Sequence, residues 1–119
     1  MNRKLYAEVN PETILEFAAS LPGVSQGFPF DSKTLVFKVG VEGSMKMFAL
    51  LQLENFTGVN LKCDPERALE LREQFKGVKP GYHMNKVDWN TVMPDTDVTP
   101  GLFWDLLLHS YDLVRDSFN

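Results

Sequence analysis

At 119 residues, with 44% hydrophobic and 24% charged side chains and no biased or repetitive tract, the chain is long enough to build one hydrophobic core and reads as a single domain over 1–119. Its net charge of −4 argues against a strong general affinity for phosphate backbones, and a single cysteine, Cys63, excludes an internal disulfide. No stretch approaches the roughly 20 apolar residues of a membrane span. The basic start Met1-Asn2-Arg3-Lys4-Leu5 meets Glu8, Asn10, Pro11 and Glu12 rather than an apolar signal segment, so a reducing, cytoplasmic setting is expected.

The first confident helix starts at Asn10-Pro11, where Asn can cap and Pro at the first position gives up an N–H that would lack a partner anyway. Ile14, Phe17, Ala18 and Leu21 recur at helical spacing, and Leu21-Pro22-Gly23 stops the run. Residues 2–9 could add a further helical turn. Strand patterns follow: Thr34–Val39, with Leu35, Phe37 and Val39 on one side and Val36 and Lys38 on the other; about Lys46–Glu54; and Val59–Cys63, with Asn60 and Lys62 opposite Val59, Leu61 and Cys63. Short turns containing glycine join them, which predicts an antiparallel meander.

Asp64-Pro65-Glu66 repeats the cap-then-proline signal and opens a helix to about Phe75, with Ala68, Leu71 and Phe75 as its apolar stripe. A loop is expected from Lys79-Pro80-Gly81 to about Val87, then a short strand Trp89–Met93 and a polar turn Pro94–Val98. Thr99-Pro100 caps a last helix whose Leu102, Phe103, Leu106, Leu107, Ser110, Leu113 and Val114 fall at core-facing intervals. Helix, meander, helix, strand, helix is an α+β order, in which an antiparallel sheet buries one face under the helices.

Charge is unevenly spread along this order. Residues 1–61 carry a net −1, residues 62–86 a net +2 and residues 87–119 a net −5, so an anion-binding surface would draw on the middle segment.

The stretch Pro80-Gly81-Tyr82-His83-Met84-Asn85-Lys86-Val87-Asp88-Trp89-Asn90-Thr91-Val92 gathers His, Lys, Trp, Tyr and two Asn into a loop that enters a strand. Taken with Leu21-Pro22-Gly23-Val24, Phe28-Pro29-Phe30, Phe37-Lys38-Val39, Leu61-Lys62-Cys63 and Ser110-Tyr111-Asp112-Leu113-Val114, it closely resembles the MmcQ/YjbR family of small bacterial proteins, over about residues 11–118. The resemblance implies a twisted antiparallel sheet with helices on one side, like that of the frataxin and CyaY proteins. It also implies the DNA-binding, double-wing label attached to that family. Asp31, where family members often have Gly, and Val87-Asp88, where many have basic residues or His, make the presumed surface less positive; the Glu42-Gly43-Ser44 turn is longer than usual.

Two readings of the 80–90 segment stand side by side. In one, Lys86 contacts a phosphate, Trp89 offers a stacking face, and His83 or Asn85 reads a polar group. In the other, Trp89 and Tyr82 pack, while His83 and Asn85 hold the loop through backbone hydrogen bonds. Lys38 and Lys62 alternate onto the sheet face opposite the core, where they form either a basic patch or an ordinary solvated face. Cys63 points inward with Val59 and Leu61, as a buried thiol would.

His83, His109 and Cys63 lack zinc-ligand spacing, and Asn10-Pro11 interrupts the row Glu8, Glu12, Glu16 that a frataxin-like iron site would use. No Gly-rich phosphate loop, nucleophile elbow or metalloprotease motif occurs, so no cofactor and no enzymatic activity are expected. The expectation is a DNA-binding module acting through the open sheet face and the 80–90 loop, with Lys38, Lys62, His83, Asn85, Lys86 and Trp89 as its site. The alternative is an adaptor for a protein or small ligand on the same face, which the acidic balance favours.

Overall fold

Asn10 and Thr13 set the first helix by reciprocal bonding. The Asn10 side chain accepts from the Thr13 N–H at 2.9 Å, and the Thr13 hydroxyl accepts from the Asn10 N–H at 3.0 Å. Such caps contribute about 1 kcal/mol each. The computed structural model describes residues 8–118, so the helical turn expected over residues 2–9 lies almost wholly outside the described residues.

Among the described residues the order is α1 (Pro11–Ala19), β1 (Val24–Gly27), β2 (Thr34–Val41), β3 (Ser44–Gln52), β4 (Val59–Lys62), α2 (Pro65–Gln74), β5 (Val78–Pro80), β6 (Trp89–Val92) and α3 (Pro100–Asp116). Asp64 and Thr99 cap α2 and α3 by accepting from Arg67 N–H and Leu102 N–H, and each helix begins with proline. The strands form one sheet, β1-β2-β3-β4-β6-β5, antiparallel at every contact.

Strand alternation then decides which side chains meet the helices. Leu35, Phe37 and Val39 of β2, Ala49 and Leu51 of β3, Val59 and Leu61 of β4, and Val92 of β6 join Ile14, Phe17 and Ala18 of α1 and Ala68 and Leu71 of α2. Phe103, Trp104, Leu107 and Val114 of α3 complete this core. Trp104 is fully buried and meets Phe17 and Phe103 edge-on, with ring centroids 5.0 and 5.3 Å apart. All three helices therefore lie on one face of the sheet, as expected.

The β2–β3 register slips between Phe37 and Lys38, because β3 carries one extra residue, Phe48. This bulge lets Phe48 and Ala49, adjacent in sequence, both face the helices, while Met47 and Leu50 both face away. The α3 helix is tied to the sheet by Ser110, whose hydroxyl accepts from Lys62 N–H at 2.8 Å and donates to the Phe48 carbonyl at 2.5 Å.

Candidate functional site

The face of the sheet away from the helices, here the outer face, follows from the register. Across its middle run Gly27, Val36, Leu50, Asn60, Thr91 and Lys79, each the direct neighbour of the next. Lys38 and Met47 share that face on one side of this row, as do Lys62 and Trp89. The expectation that Lys38 and Lys62 leave the core on a common face therefore holds. Both are half-buried, and neither ammonium has an ion-pair partner among the described residues.

Trp89 requires a correction. It lies on the outer face, but only 8% of it is exposed, because Val36 and Leu50 pack against it in a second small cluster with Met47 and Met84 at its margin. An indole so covered offers no free stacking platform. The cover is the loop that precedes it. Gly81 N–H donates to the Trp89 carbonyl at 2.9 Å, and Trp89 N–H donates to the Asn85 carbonyl at 3.1 Å.

Lys86 requires another. Its ammonium donates to the Gly81 carbonyl at 2.9 Å and the Met84 carbonyl at 3.4 Å, so it neutralises carbonyl dipoles inside its own loop rather than reaching outward for a phosphate. Asn85 is similarly occupied. Its side-chain oxygen accepts from Val87 N–H, and its amide donates to the Asp88 carboxylate, both at 2.9 Å. Of these four residues, His83 alone keeps an exposed side chain that is hydrogen-bonded to no other described residue.

Arg72, which the sequence did not single out, locks the loop from the helical side. Its guanidinium donates to the Asn90 side-chain oxygen at 2.6 Å, to the Trp89 carbonyl at 3.3 Å and to the Lys86 carbonyl. Asn90 is 1% exposed and donates in turn to the Ala68 carbonyl at 3.3 Å, so α2, β6 and the loop share one polar joint. On the outer side Tyr82 is held at both ends of its residue: its N–H donates to Thr91 Oγ1, and its carbonyl accepts from Asn60 Nδ2, each at 3.0 Å. The Thr91 hydroxyl in turn donates to Asn60 Oδ1 at 2.5 Å.

The loop so fixed forms one wall of a trough of about 970 Å³. Phe30 and Asp31, at the entrance to β2, form the opposite wall, and the floor includes Leu50, Gln52, Asn60 and Thr91. From β2 to β5 the trough crosses four inter-strand spacings, roughly 19 Å. Phe30 is 64% exposed and Tyr82 69%, so each wall carries a ring that the core does not use. Asp31 accepts from Lys33 N–H at 2.8 Å and Thr34 N–H at 2.7 Å, and these bonds hold its carboxyl below the usual carboxylate range. Glu54 on the same rim pairs with Lys33 at 2.9 Å, and Lys79 lines the far end. The lining is therefore mixed in polarity and in charge, rather than basic.

The other candidates stay apart from this trough. Lys38 lines a separate, smaller depression of about 300 Å³ beside Ser25–Pro29. Cys63 is 4% exposed within the core, and burial pushes its thiol up to about 11. Glu8 precedes the Asn10 cap, so Glu8, Glu12 and Glu16 do not form one helical row. Among the described residues no group of three His, Cys, Asp or Glu side chains could hold a metal ion, and no helix is long and apolar enough to cross a membrane.

Phe30 had a signal in the sequence, as an aromatic in Phe28-Pro29-Phe30 with neither helical nor strand spacing around it. Gln52 and Thr91 had none beyond their alternation.

Comparison with known proteins agrees with this fold and with the motifs. The YjbR family model matches residues 19–113. The Escherichia coli O157:H7 protein YbdF is 37% identical over 105 residues, covering 88% of this chain and 84% of its own. The YjbR protein of Escherichia coli K12 is 33% identical over 99 residues, covering 82% and 80%. A crystal structure of a Deinococcus radiodurans protein with a DUF419 domain superposes with a TM-score of 0.80 at 39% identity, over 92% of this chain and 80% of that one. A Pseudomonas syringae protein does so at 0.75 and 25% identity, over 90% and 100%.

Proposed function

The chain belongs to the YjbR family, and from that premise we propose that it is a non-enzymatic binding module whose ligand sits in the trough on the outer sheet face. The trough itself carries this reading. Its volume of about 970 Å³ falls at the upper end of the roughly 300–1,000 Å³ common for small-molecule sites. Its floor mixes apolar and hydrogen-bonding groups, and two exposed rings stand at its walls. Its shape is pre-organised by the Arg72 joint and the Asn60–Thr91–Tyr82 bonds, which lowers the ordering cost of binding.

The test is an NMR titration with a library of small neutral and zwitterionic compounds. A binder should move the amides of Thr34, Gln52, Asn60 and Thr91 together. Gln52→Trp, which fills the floor from an exposed strand end, should abolish those shifts while the amide spectrum stays folded. Shifts that survive in Gln52→Trp, or a library without a single hit on these four amides, would overturn the reading.

A second reading draws on the register that gathers Lys38, Lys62 and Lys79 on one face: the outer face would then contact a DNA backbone, in keeping with the double-wing label. Three phosphate contacts would give a slope of roughly −3 in log K against log salt. The net charge of −4 and the acidic rim at Asp31 and Glu54 oppose it. Anisotropy with duplex and single-stranded DNA from 25 to about 200 mM salt decides between the two. This reading requires steep loss of binding with salt and a weaker complex for Lys62→Ala.

A further inference from the structure

We infer that Tyr82 and His83 form a two-ring shelf that receives the planar aromatic ring of a small ligand. The inference rests on the trough being the ligand seat and names the chemistry of what sits there.

Three observations converge on the pair. The hydrogen bonds of Tyr82, to Thr91 and Asn60, run through its backbone, and its ring stands 69% exposed at the trough wall. The His83 ring lies against it, with centroids 4.0 Å apart and planes inclined by 49°. Neither ring belongs to either hydrophobic cluster. Neither the Tyr82 hydroxyl nor a His83 ring nitrogen is hydrogen-bonded to any other described residue. The two rings thus order each other and leave both polar tips unspent.

The backbone adds the third observation. His83 has a φ of +58°, in the left-handed region that glycine occupies without strain. Histidine enters that region more readily than most residues, yet glycine would serve the turn better. The imidazole is hydrogen-bonded to no other described residue, and its ring contact is with Tyr82, so the turn presents it at the trough wall. Strain of this sort concentrates where a side chain must be presented.

The shelf's chemistry sets the ligand class. Two inclined ring faces favour a flat π-system over a saturated ring of equal bulk. The phenol and imidazole tips can bond polar substituents at the edge of that ring, donating from the hydroxyl and either donating or accepting at the imidazole nitrogens.

The experiment uses the whole chain with three probes: adenosine and N-acetyltryptophanamide, which carry planar rings from two sources, and N-acetylcyclohexylalaninamide, which carries a saturated one. Shift mapping should place both aromatic probes at Tyr82 and His83, with ring-current shifts there, and their relative affinity distinguishes a nucleobase-like ring from an indole-like one. The saturated probe should bind roughly 2- to 12-fold more weakly. His83→Gly should melt at an unchanged or higher temperature and lose a similar factor for the aromatic probes, and Tyr82→Leu should lose it as well.

Equal affinity for saturated and aromatic probes would overturn the shelf while leaving the trough as a seat. So would a His83→Gly variant that binds normally. Absence of all three probes from the trough would remove the seat and the shelf together.

Discussion

Arg72 joins parts of the chain that lie 14 to 18 positions apart, through the Lys86 and Trp89 carbonyls and the Asn90 side chain. A charged donor to a buried acceptor is expensive to remove, and the Asn90 side chain, 1% exposed, would lose this bond without gaining water. Arg72→Ala should destabilise the protein by about 1–3 kcal/mol in urea unfolding. It should also speed hydrogen exchange at amides 81–89 more than elsewhere. Arg72→Lys should recover little of this, since an ammonium cannot span three acceptors as the planar guanidinium does.

Cys63 gives a second residue-scale expectation. A thiol raised from 9.0 to about 11 by burial carries roughly 100-fold less thiolate at neutral pH, so it should react slowly with a disulfide reagent in the native state and rapidly in denaturant. The inward position of Cys63 was legible from alternation with Val59 and Leu61. The role of Lys86 was not, and that of Asn85, a strut bonded to the loop backbone, was one of two readings that the residues left open. Both side chains bond within their own loop, and composition alone does not distinguish a loop's internal struts from its outward contacts. Arg72 was invisible for the opposite reason: its partners are distant in sequence.

The three helices and the central strands β2, β3 and β4 were readable because each carries a signal of its own: a cap followed by proline in the helices, an apolar alternation in β2 and β4, and a long apolar run between turn residues in β3. The edge strands β1 and β5 were not. Val24–Gly27 buries no residue fully, and Val78–Pro80 is three residues long and ends in proline, which serves on an edge because it lacks a ladder donor. The final helix departs from expectation at Trp104 and Tyr111, both buried, and at Leu113, which is only half-buried. The α3 stripe is wider than its leucines indicate because the ring of Tyr111 packs on Phe48 while its hydroxyl reaches the Pro22 carbonyl at 2.5 Å.

Helix contacts also carry a pH dependence. His109 on α3 accepts from the Asp64 N–H through Nε2 at 3.3 Å, so the neutral ring supports the start of α2. Burial, then the nearby Arg67, hold its pKa below 6.5, against the opposing pull of Asp105, Asp64 and Asp112. With the folded value below the unfolded one, the unfolded state binds the extra proton first, so this contribution is intact above 6.5 and fades as pH falls below it. Urea midpoints should decline from pH 7.5 to 5.5, and His109→Gln should flatten that decline. An unchanged slope in His109→Gln would assign the decline to other groups.

The whole molecule is a two-layer structure with unequal apolar clusters on the two faces of its sheet. The larger joins all three helices to the sheet; the smaller, built on Val36, Leu50 and Trp89, lies beneath the 81–88 loop. This asymmetry predicts unequal responses to truncation. Trp104→Ala, opening a void at the junction of α1 and α3, should cost about 3–5 kcal/mol. Trp89→Ala should cost less globally, yet loosen the loop and the trough wall it supports, which thermal melts paired with hydrogen exchange would separate.

The chain's two indoles are therefore placed as a natural pair of reporters. Trp104 is enclosed and responds only when the fold itself opens, whereas Trp89 lies beneath Met84 and the loop backbone. With Trp104 exchanged for phenylalanine, the emission colour of the remaining fluorophore would register water reaching the underside of that loop, giving an optical readout of its motion without any attached dye.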